Sequence, residues 1–170
     1  MVELLRPTRG GFLRPFGLGW FIREFLFGNG PYGSPKIDPE VGACQTDICH
    51  EYKMALMRYT AWDRAIRLEE KRAGKERRRI DPDNITRLAN RFLASMSYKA
   101  QGCRSHSFTT YFATIQRLCW VEFTGREEPS SFQDHYPPGQ PRKYFRLTEL
   151  GRKASDAAWS NPRRVLYGKG

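Results

Sequence analysis

The apolar positions in the middle of the chain recur alternately four and three residues apart, which is the spacing of a heptad seam on a helix. These positions are Ile48, Tyr52, Ala55, Tyr59, Trp62 and Ile66. The pattern predicts a long helix within residues 38–80. This helix starts at Asp38-Pro39-Glu40, or nearer Thr46-Asp47 because Gly42 weakens the opening turns. Such a seam packs against another helix, either of the same chain or of a second copy.

Two shorter helices are predicted after the break at Asp81-Pro82-Asp83-Asn84. The first runs from about Ile85 to Tyr98, and its apolar face consists of Ile85, Leu88, Ala89, Phe92 and Met96. A polar loop, residues 99–106, follows. Ser107 is a favourable N-cap for the second helix, from Phe108 to about Leu118. The apolar face of this helix consists of Phe108, Tyr111, Phe112, Ile115 and Leu118.

The pattern changes to alternation after Leu118, which indicates strands. Residues 119–125 form the first strand, with Cys119 in the core, and residues 143–147 form the second, after a turn-rich segment at 126–141. Thr148 then caps a helix from Glu149 to about Trp159. The predicted fold class is mainly α with a small β-hairpin. A long N-terminal helix precedes a compact unit at residues 81–160, and residues 161–170 form a tail.

Residues 1–37 are a Gly/Pro/aromatic-rich N-terminal extension. Leu18 to Phe27 predicts a short helix, which the turn residues from Gly28 to Gly33 end. This helix is too short to span a bilayer. Its apolar side chains are expected to dock on the main body or on a partner, with an interfacial membrane helix as the alternative.

The net charge of +11 and the pI near 9.8 add an electrostatic argument. A chain this basic usually meets a polyanion, and nucleic acid is the first candidate, with a basic soluble protein that has no such partner as the alternative. The charge is densest at residues 71–79, which contain six basic residues and one acidic residue. The basic residues of this segment either contact phosphates or end a solvated helix: Lys71, Arg72, Lys75, Arg77, Arg78 and Arg79.

Other function classes find little support in the sequence. The four cysteines are too few for a disulfide framework, and the spacing of Cys44 and Cys49 is not that of a zinc site, so no metal is expected. No motif places a nucleophile beside a base, and no Gly-rich phosphate loop precedes a helix, so we expect neither an enzyme nor a cofactor. Met1 to Arg9 lacks the pattern of a signal peptide, and no stretch has the length of a membrane span. A cytoplasmic protein without membrane contact is therefore expected.

Two stretches resemble winged helix-turn-helix regulators. Leu118-Cys-Trp-Val-Glu-Phe-Thr-Gly125 resembles the end of the recognition helix and the first strand of the wing. Tyr144-Phe-Arg-Leu-Thr-Glu-Leu-Gly151 resembles the second strand and the turn into the last helix. PadR-like and multiple-antibiotic-resistance-type regulators typically have aromatic-x-leucine-threonine-x-x-glycine here, which Tyr144 or Phe145, Leu147, Thr148 and Gly151 match. The resemblance covers residues from about 84 to 159.

The resemblance implies a sequence-specific double-stranded-DNA-binding protein that acts as a transcriptional regulator. No Asp or Glu occurs between Asn84 and Val121, and the polar side of the helix at 107–118 is built of short groups that can approach base edges. The implied contacts on this recognition helix are Ser107, Thr109, Thr110, Thr114, Gln116 and Arg117. The implied cations of the wing, which would position the protein on phosphates, are Arg126, Arg142, Lys143 and Arg146.

The resemblance also bears on partners. Regulators of this type commonly bind two half-sites with two-fold symmetry, so residues 48–66 are expected to form a homodimer interface unless they pack on the chain's own core. Two alternatives to DNA binding remain open. One is a winged-helix subunit of a nucleoprotein complex, as an RNA-binding protein or a scaffold, and the other is protein–protein interaction alone.

Overall fold

A computed structural model of the chain describes residues 6–7, 13–14, 16–97, 105–129 and 141–168. The helices are α1 (Leu18–Leu26), α2 (Gln45–Glu76), α3 (Pro82–Ser95), α4 (Ser105–Arg117), α5 (Glu149–Lys153), α6 (Asp156–Ser160) and α7 (Pro162–Tyr167). The strands are β1 (Arg6–Pro7), β2 (Leu13–Arg14), β3 (Ala43–Cys44), β4 (Val121–Glu128) and β5 (Arg142–Leu147). Most of the predicted loop at 99–106 and the centre of the turn-rich segment at 126–141 lie outside the described residues. The fold is mainly helical with a small antiparallel sheet, as predicted.

The chain divides into two compact units. The helical unit takes the described residues of Met1–Pro15 and Lys53–Cys103, and the sheet unit takes those of Phe16–Tyr52 and Arg104–Gly170. The predicted compact unit at 81–160 is therefore divided, because α3 belongs to the helical unit and α4 to the sheet unit. Among the described residues, none of the helices combines the length and the apolarity that a membrane span needs.

The long helix α2 begins at Gln45, close to the later of the two predicted starts. Asp38 instead makes a turn, in which its side chain accepts the backbone N–H of Glu40 at 2.9 Å. Gly42 then passes close to β5: a Cβ there would lie 2.0 Å from the carbonyl oxygen of Phe145, and its φ is +75°. These contacts hold residues 38–44 in a non-helical path, so the prediction of a helix from Asp38 is wrong.

In the helical unit, α3 packs on the C-terminal part of α2 through a small core. Ala65, Leu88 and Ala89 are buried there, and Leu68, Ile85 and Phe92 pack against them. The predicted apolar face of α3 is therefore confirmed for Ile85 through Phe92. On α2 the buried stripe beyond Tyr59 differs from the predicted seam and consists of Ala61, Ala65, Glu69 and Ala73.

The seam residues Trp62 and Ile66 are instead 44% and 39% exposed. The buried side of α2 beyond Tyr59 is thus formed mainly by small alanine side chains, of which Ala65 belongs to the core shared with α3. The first half of the predicted seam, Ile48, Tyr52 and Ala55, is buried.

An ion pair between the buried Glu69 and the partly exposed Arg78 fixes the turn between α2 and α3. The Glu69 side chain is fully buried, and Arg78 donates to both of its carboxylate oxygens, at 2.5 and 3.4 Å. Arg78 also donates to Glu76 at 2.5 Å. The Arg78 guanidinium is the main cause that lowers the pKa of Glu69, and hydrogen bonds from the Asn84 side chain and the Asp81 backbone add to it. The charge pair thus holds residues 77–81 against the end of α2.

The sheet unit is built around a three-stranded antiparallel sheet of order β3-β5-β4. Ala43 pairs with Phe145, and Val121 pairs with Leu147. Helix α1 matches its prediction, and its apolar residues from Phe21 to Leu26 are buried in this unit. The ring of Phe112 on α4 meets that of Phe145 edge-on, with centroids 5.1 Å apart, and so anchors α4 on the sheet.

The glycine motif at the end of β5 locks this strand to the turn between α4 and β4. The Thr148 backbone N–H donates to Trp120 O at 2.9 Å, and its hydroxyl donates to Cys119 O. The same hydroxyl accepts the N–H of Gly151 at 3.1 Å, which caps α5. A Cβ at Gly151 would lie 2.1 Å from Trp120 O. Only glycine permits this approach.

Two details of this region differ from the predictions. Cys119 has a φ of +60° and is exposed in the turn before β4, so the prediction of a core strand residue is wrong. The predicted helix from Glu149 to Trp159 is broken at Ala154, and Ser155 caps a new helix, α6. The break lets the Trp159 side chain fold back and donate its indole N–H to Gly151 O at 2.9 Å.

Gly151→Ala is expected to lower the free energy of unfolding by about 3 kcal/mol, because the added methyl group meets a backbone carbonyl that no rotamer change can move. The matched control is Gly74→Ala, since a Cβ at Gly74 has open space around it. This control should raise the free energy of unfolding by about 0.5–1 kcal/mol through helix propensity. Urea unfolding followed by circular dichroism measures both, and equal stabilities would contradict the close approach.

Glu69→Gln is expected to destabilise the helical unit most at neutral pH. The pKa of Glu69 in the folded chain lies below its ordinary value of 4.5, so its contribution is complete above pH 4.5 and is lost as the pH falls through the folded pKa. The difference in unfolding midpoint between parent and variant should therefore shrink as the pH is lowered from 7 towards 3. The control, Glu70→Gln, changes an exposed neighbour and should show little difference at any pH. A parent–variant difference independent of pH would refute the ionic role of Glu69.

Candidate nucleic-acid interface

Helix α4 has the predicted division into an apolar face and a polar face. Phe108, Phe112 and Ile115 are buried, while Thr109, Ala113 and other residues opposite them are exposed. The helix begins at Ser105, one turn earlier than predicted, so Ser107 lies in its first turn and is not the N-cap. The apolar contacts of one face therefore fix which residues the other face presents to solvent.

One residue of the predicted recognition surface is placed differently. Thr114 is only 7% exposed, and its hydroxyl donates to Thr110 O at 3.0 Å. Its neighbour Tyr111 is partly buried, donates its hydroxyl to Trp159 O, and has a pKa raised by burial. The prediction that Thr114 lies on the exposed face is therefore wrong, because α4 is covered on this side.

The cover is α7, formed by residues that the sequence predicted to be a tail. Asn161 caps α7, accepting the N–H of Arg164 at 3.3 Å, and Pro162 takes the first helical position. Helix α7 packs beside α4. A groove of about 390 Å³ between them is lined on the α4 side by Ser107, Thr110, Tyr111 and Thr114.

The end of α4 is held by the last aromatic residue of α7. Arg117 donates to the Tyr167 hydroxyl at 3.2 Å, and its guanidinium lies 5.9 Å from the centre of the same ring. Arg163 lies on that ring as well, at 5.7 Å. The helix thus brings Arg163 and Arg164 beside the predicted recognition surface. The cap formed by Asn161 and Pro162 was the available sequence signal for this helix.

The open stripe of α4 is consequently narrower than predicted. Thr109 and Ala113 are exposed and Gln116 is half-buried, and none of these three residues lines the groove beside α7. Ser107 and Thr110 are exposed but border that groove. The stripe carries hydrogen-bonding or small side chains and no carboxylate.

All four predicted wing cations have partners within the sheet unit. Arg126 pairs with Glu128 at 2.8 Å and covers the ring of Tyr144, and Lys143 lies 5.6 Å from the ring of Phe123. The remaining two brace the base of the hairpin. Arg142 pairs with Asp47 and donates to the thiol of Cys44, and Arg146 pairs with Glu122 and more distantly with Glu40.

These contacts give the cations a structural role. The guanidinium of Arg126, with a hydrogen bond from Tyr144, lowers the pKa of Glu128 and keeps this carboxylate charged. Hydrogen bonding to Cys44 is the main cause that raises the pKa of Arg142, the residue that ties β5 to β3. A phosphate would have to compete with the carboxylates that already pair with Arg126, Arg142 and Arg146. The described part of the hairpin therefore offers few cations for a phosphate.

The excess positive charge lies in the helical unit. Its residues 53–97 include 12 Lys and Arg and 6 Asp and Glu, a net charge of +6. The described residues of the sheet unit include 11 Lys and Arg and 10 Asp and Glu, a net charge of +1. Among the residues counted, the excess of positive charge therefore lies in the segment that contains most of α2 and all of α3.

The basic segment at 71–79 belongs to this unit. Arg78 is committed to Glu69 and Glu76, as described above. The other predicted phosphate contacts of the segment are exposed: Lys71, Arg72, Lys75, Arg77 and Arg79. Two cations of α3 that the predicted surface did not include, Arg87 and Arg91, are exposed as well.

Metal ligands do not gather in the described part of the chain, where no group of three or more His, Cys, Asp or Glu could hold an ion. None of the three described cysteines, Cys44, Cys49 and Cys119, forms a disulfide bond. Cys103 and the side chain of His106 lie outside the described residues.

The chain's similarity to other proteins gives no further guide to its function. No protein-family model, curated protein or solved structure matches the chain. Its function has to be inferred from its own residues: the open stripe of α4, the hairpin beside it and the charge of the helical unit.

Proposed function

We propose that the chain binds double-stranded DNA as a winged-helix protein, with α4 as the recognition helix. The observation that carries the proposal is the open stripe of Thr109, Ala113 and Gln116, because it is free of carboxylates and leads directly to a β-hairpin. Short side chains let a helix lie deep in the major groove. Threonine hydroxyls and the glutamine amide then contact base edges, with glutamine favouring adenine.

The order of elements in the sheet unit supports this proposal. Helix α1, strand β3, the first turns of α2, helix α4 and the hairpin β4–β5 form one unit, and the hairpin is joined by β3 into one sheet. A helix followed directly by a two-stranded hairpin is the part of the resemblance that this unit contains, whereas α3, which the resemblance also covers, belongs to the helical unit. Residues 53–97 of the helical unit lie along the chain between the first turns of α2 and helix α4.

The helical unit supplies the electrostatic part of the proposal. The net charge of +6 of its residues 53–97 favours association with the phosphate backbone regardless of sequence. The sheet unit, with its nearly balanced charge, supplies the base contacts. Arg163 and Arg164 on α7 add phosphate contacts next to α4. We propose that the protein acts as a transcriptional regulator through this binding.

Fluorescence anisotropy with a labelled DNA duplex of about 30 base pairs, or three helical turns, tests the proposal. Ala113→Glu places a carboxylate in the centre of the open stripe and should weaken binding about tenfold or more, the cost of about 1–3 kcal/mol typical of a lost base contact. The control Ala157→Glu makes the same charge change at an exposed position of α6 and should bind like the parent.

The same titration is repeated with the matching RNA duplex over a salt series from about 50 to 200 mM. Preference for DNA supports the proposal. Preference for RNA would replace it with the nucleoprotein-complex alternative, and no binding to either duplex at low salt would leave protein–protein interaction. Equal binding by Ala113→Glu and Ala157→Glu would show that α4 is not the recognition helix.

We further propose that the exposed part of the α2 seam pairs with a second copy of the chain. Trp62 and Ile66 are large apolar side chains at 44% and 39% exposure on one face, and a dimer would present two recognition helices to a two-fold site. The occupant of this face is therefore the same face of a second copy.

The double variant Trp62→Glu/Ile66→Glu should remain folded and sediment as a monomer, whereas the parent sediments as a dimer. Circular dichroism provides the check on folding. A parent that sediments as a monomer would refute the dimer, and a variant that loses its helical signal would show that this face is internal to the chain.

A further inference from the structure

A groove of about 600 Å³ lies between the last turns of α2 and helix α3, within the helical unit. Six charged residues line it: Glu69, Arg72, Glu76, Arg78, Arg87 and Arg91. We call it the arginine groove. Its volume falls in the range of ligand-binding clefts, and its position differs from that of the recognition surface on α4.

The two carboxylates of the groove are neutralised within the fold. Glu69 and Glu76 both pair with Arg78, each at 2.5 Å. Arg72, Arg87 and Arg91 have no carboxylate within 4.0 Å among the described residues, and Arg87 donates only to the neutral side chain of Asn84. The groove therefore has an excess of two positive charges and three guanidinium groups that a ligand can bind.

The groove has a firm scaffold. Its lining includes the Glu69–Arg78 pair, and the core residues Leu88 and Ala89 lie on the same helix as Arg87 and Arg91. Arg87 and Arg91 are four residues apart on α3, so they share one face and their Cα atoms are separated by about 6 Å along the helix axis. That separation is close to the axial rise over two nucleotide steps on one strand of a duplex, about 7 Å.

The chemistry of the groove selects phosphate. Guanidinium groups bind phosphate oxygens through paired hydrogen bonds, which a lysine cannot reproduce. None of the residues that line the groove in the described part of the chain is aromatic, so no ring is present on which a nucleobase could stack. An extended phosphodiester backbone fits these features better than a free nucleotide.

We infer that the arginine groove binds phosphates of the DNA backbone through Arg72, Arg87 and Arg91, as a second contact in addition to that of α4. The inference rests on the proposed DNA binding and deepens it. It assigns a role to Arg87 and Arg91 on α3 and makes Arg78 a residue of the scaffold. Because phosphate contacts carry no base information, the groove contributes affinity and not sequence preference.

The double variant Arg87→Gln/Arg91→Gln tests the inference with the full chain. Loss of two phosphate contacts should reduce the slope of log affinity against log salt by about 2, since each contact contributes about 0.9. Affinity for the duplex should fall by about tenfold, to the same extent for unrelated sequences. The charge-matched control is Arg64→Gln/Arg67→Gln, which removes two exposed arginines of α2 outside the groove. Its slope of log affinity against log salt should be steeper than that of Arg87→Gln/Arg91→Gln.

A second arm uses inorganic tripolyphosphate and isothermal titration calorimetry, which need no DNA binding. The parent and the control should bind tripolyphosphate, and the Arg87→Gln/Arg91→Gln variant should bind it much more weakly. Loss of this binding with an unchanged DNA slope would mean that the groove takes a free phosphate compound and not a DNA backbone, which overturns the inference. Parent-like behaviour of the variant in both arms also overturns it.

The two arms separate this inference from the proposed function. If Ala113→Glu abolishes DNA binding while Arg87→Gln/Arg91→Gln binds with the parent's affinity and slope, the recognition helix stands and the groove is wrong. If the parent binds no duplex, the proposed function fails, and with it the assignment of a DNA backbone to the groove. Tripolyphosphate binding would then show only that the groove holds phosphate.

Discussion

The sheet unit depends on the close approach of Gly151 to the carbonyl oxygen of Trp120, which leaves no room for a side chain. Thr148 reinforces it with a backbone hydrogen bond to the same oxygen and a hydroxyl bond to the neighbouring carbonyl. The approach joins the end of β5 to the turn between α4 and β4. Backbone packing therefore sets the direction in which the hairpin leaves α4. The same packing fixes the position of the exposed residues of α4 relative to the hairpin.

The helical unit depends on a charge pair where the sheet unit depends on a glycine. Burying Glu69 without a partner would be costly, and Arg78 is held in place because it removes that cost. Arg78 of the basic segment at 71–79 therefore stabilises the fold. What remains for a ligand is the set of arginines without a carboxylate partner, and those lie on both α2 and α3.

The proposed function divides sequence recognition and phosphate attraction between two sets of residues. The stripe of α4 has no charged side chain, and the three arginines of the hairpin are engaged by Glu128, Asp47 and Glu122. Net positive charge is instead concentrated in residues 53–97. A protein built in this way would bind DNA of any sequence through the helical unit and discriminate between sequences through α4.

The sequence by itself determined the local elements: the helical period of α3 and α4, the alternation of the two hairpin strands and the short helix α1. These follow from the spacing of apolar residues, which is a local property. Thr148 and Gly151 were also recognisable from the sequence motif, although the contacts that require these two residues are tertiary ones with Cys119 and Trp120.

Only the tertiary structure decided which helix faces are buried and which charged side chains form ion pairs. It buried Thr114 beneath α7, exposed Cys119 in a turn, moved the buried stripe of α2 from Trp62 to the alanines and paired Arg78 with Glu69. Each of these outcomes depends on residues distant in the chain or on the path of a turn. A pattern read along one segment does not contain that information, because burial and ion pairing are properties of the neighbours that folding brings together.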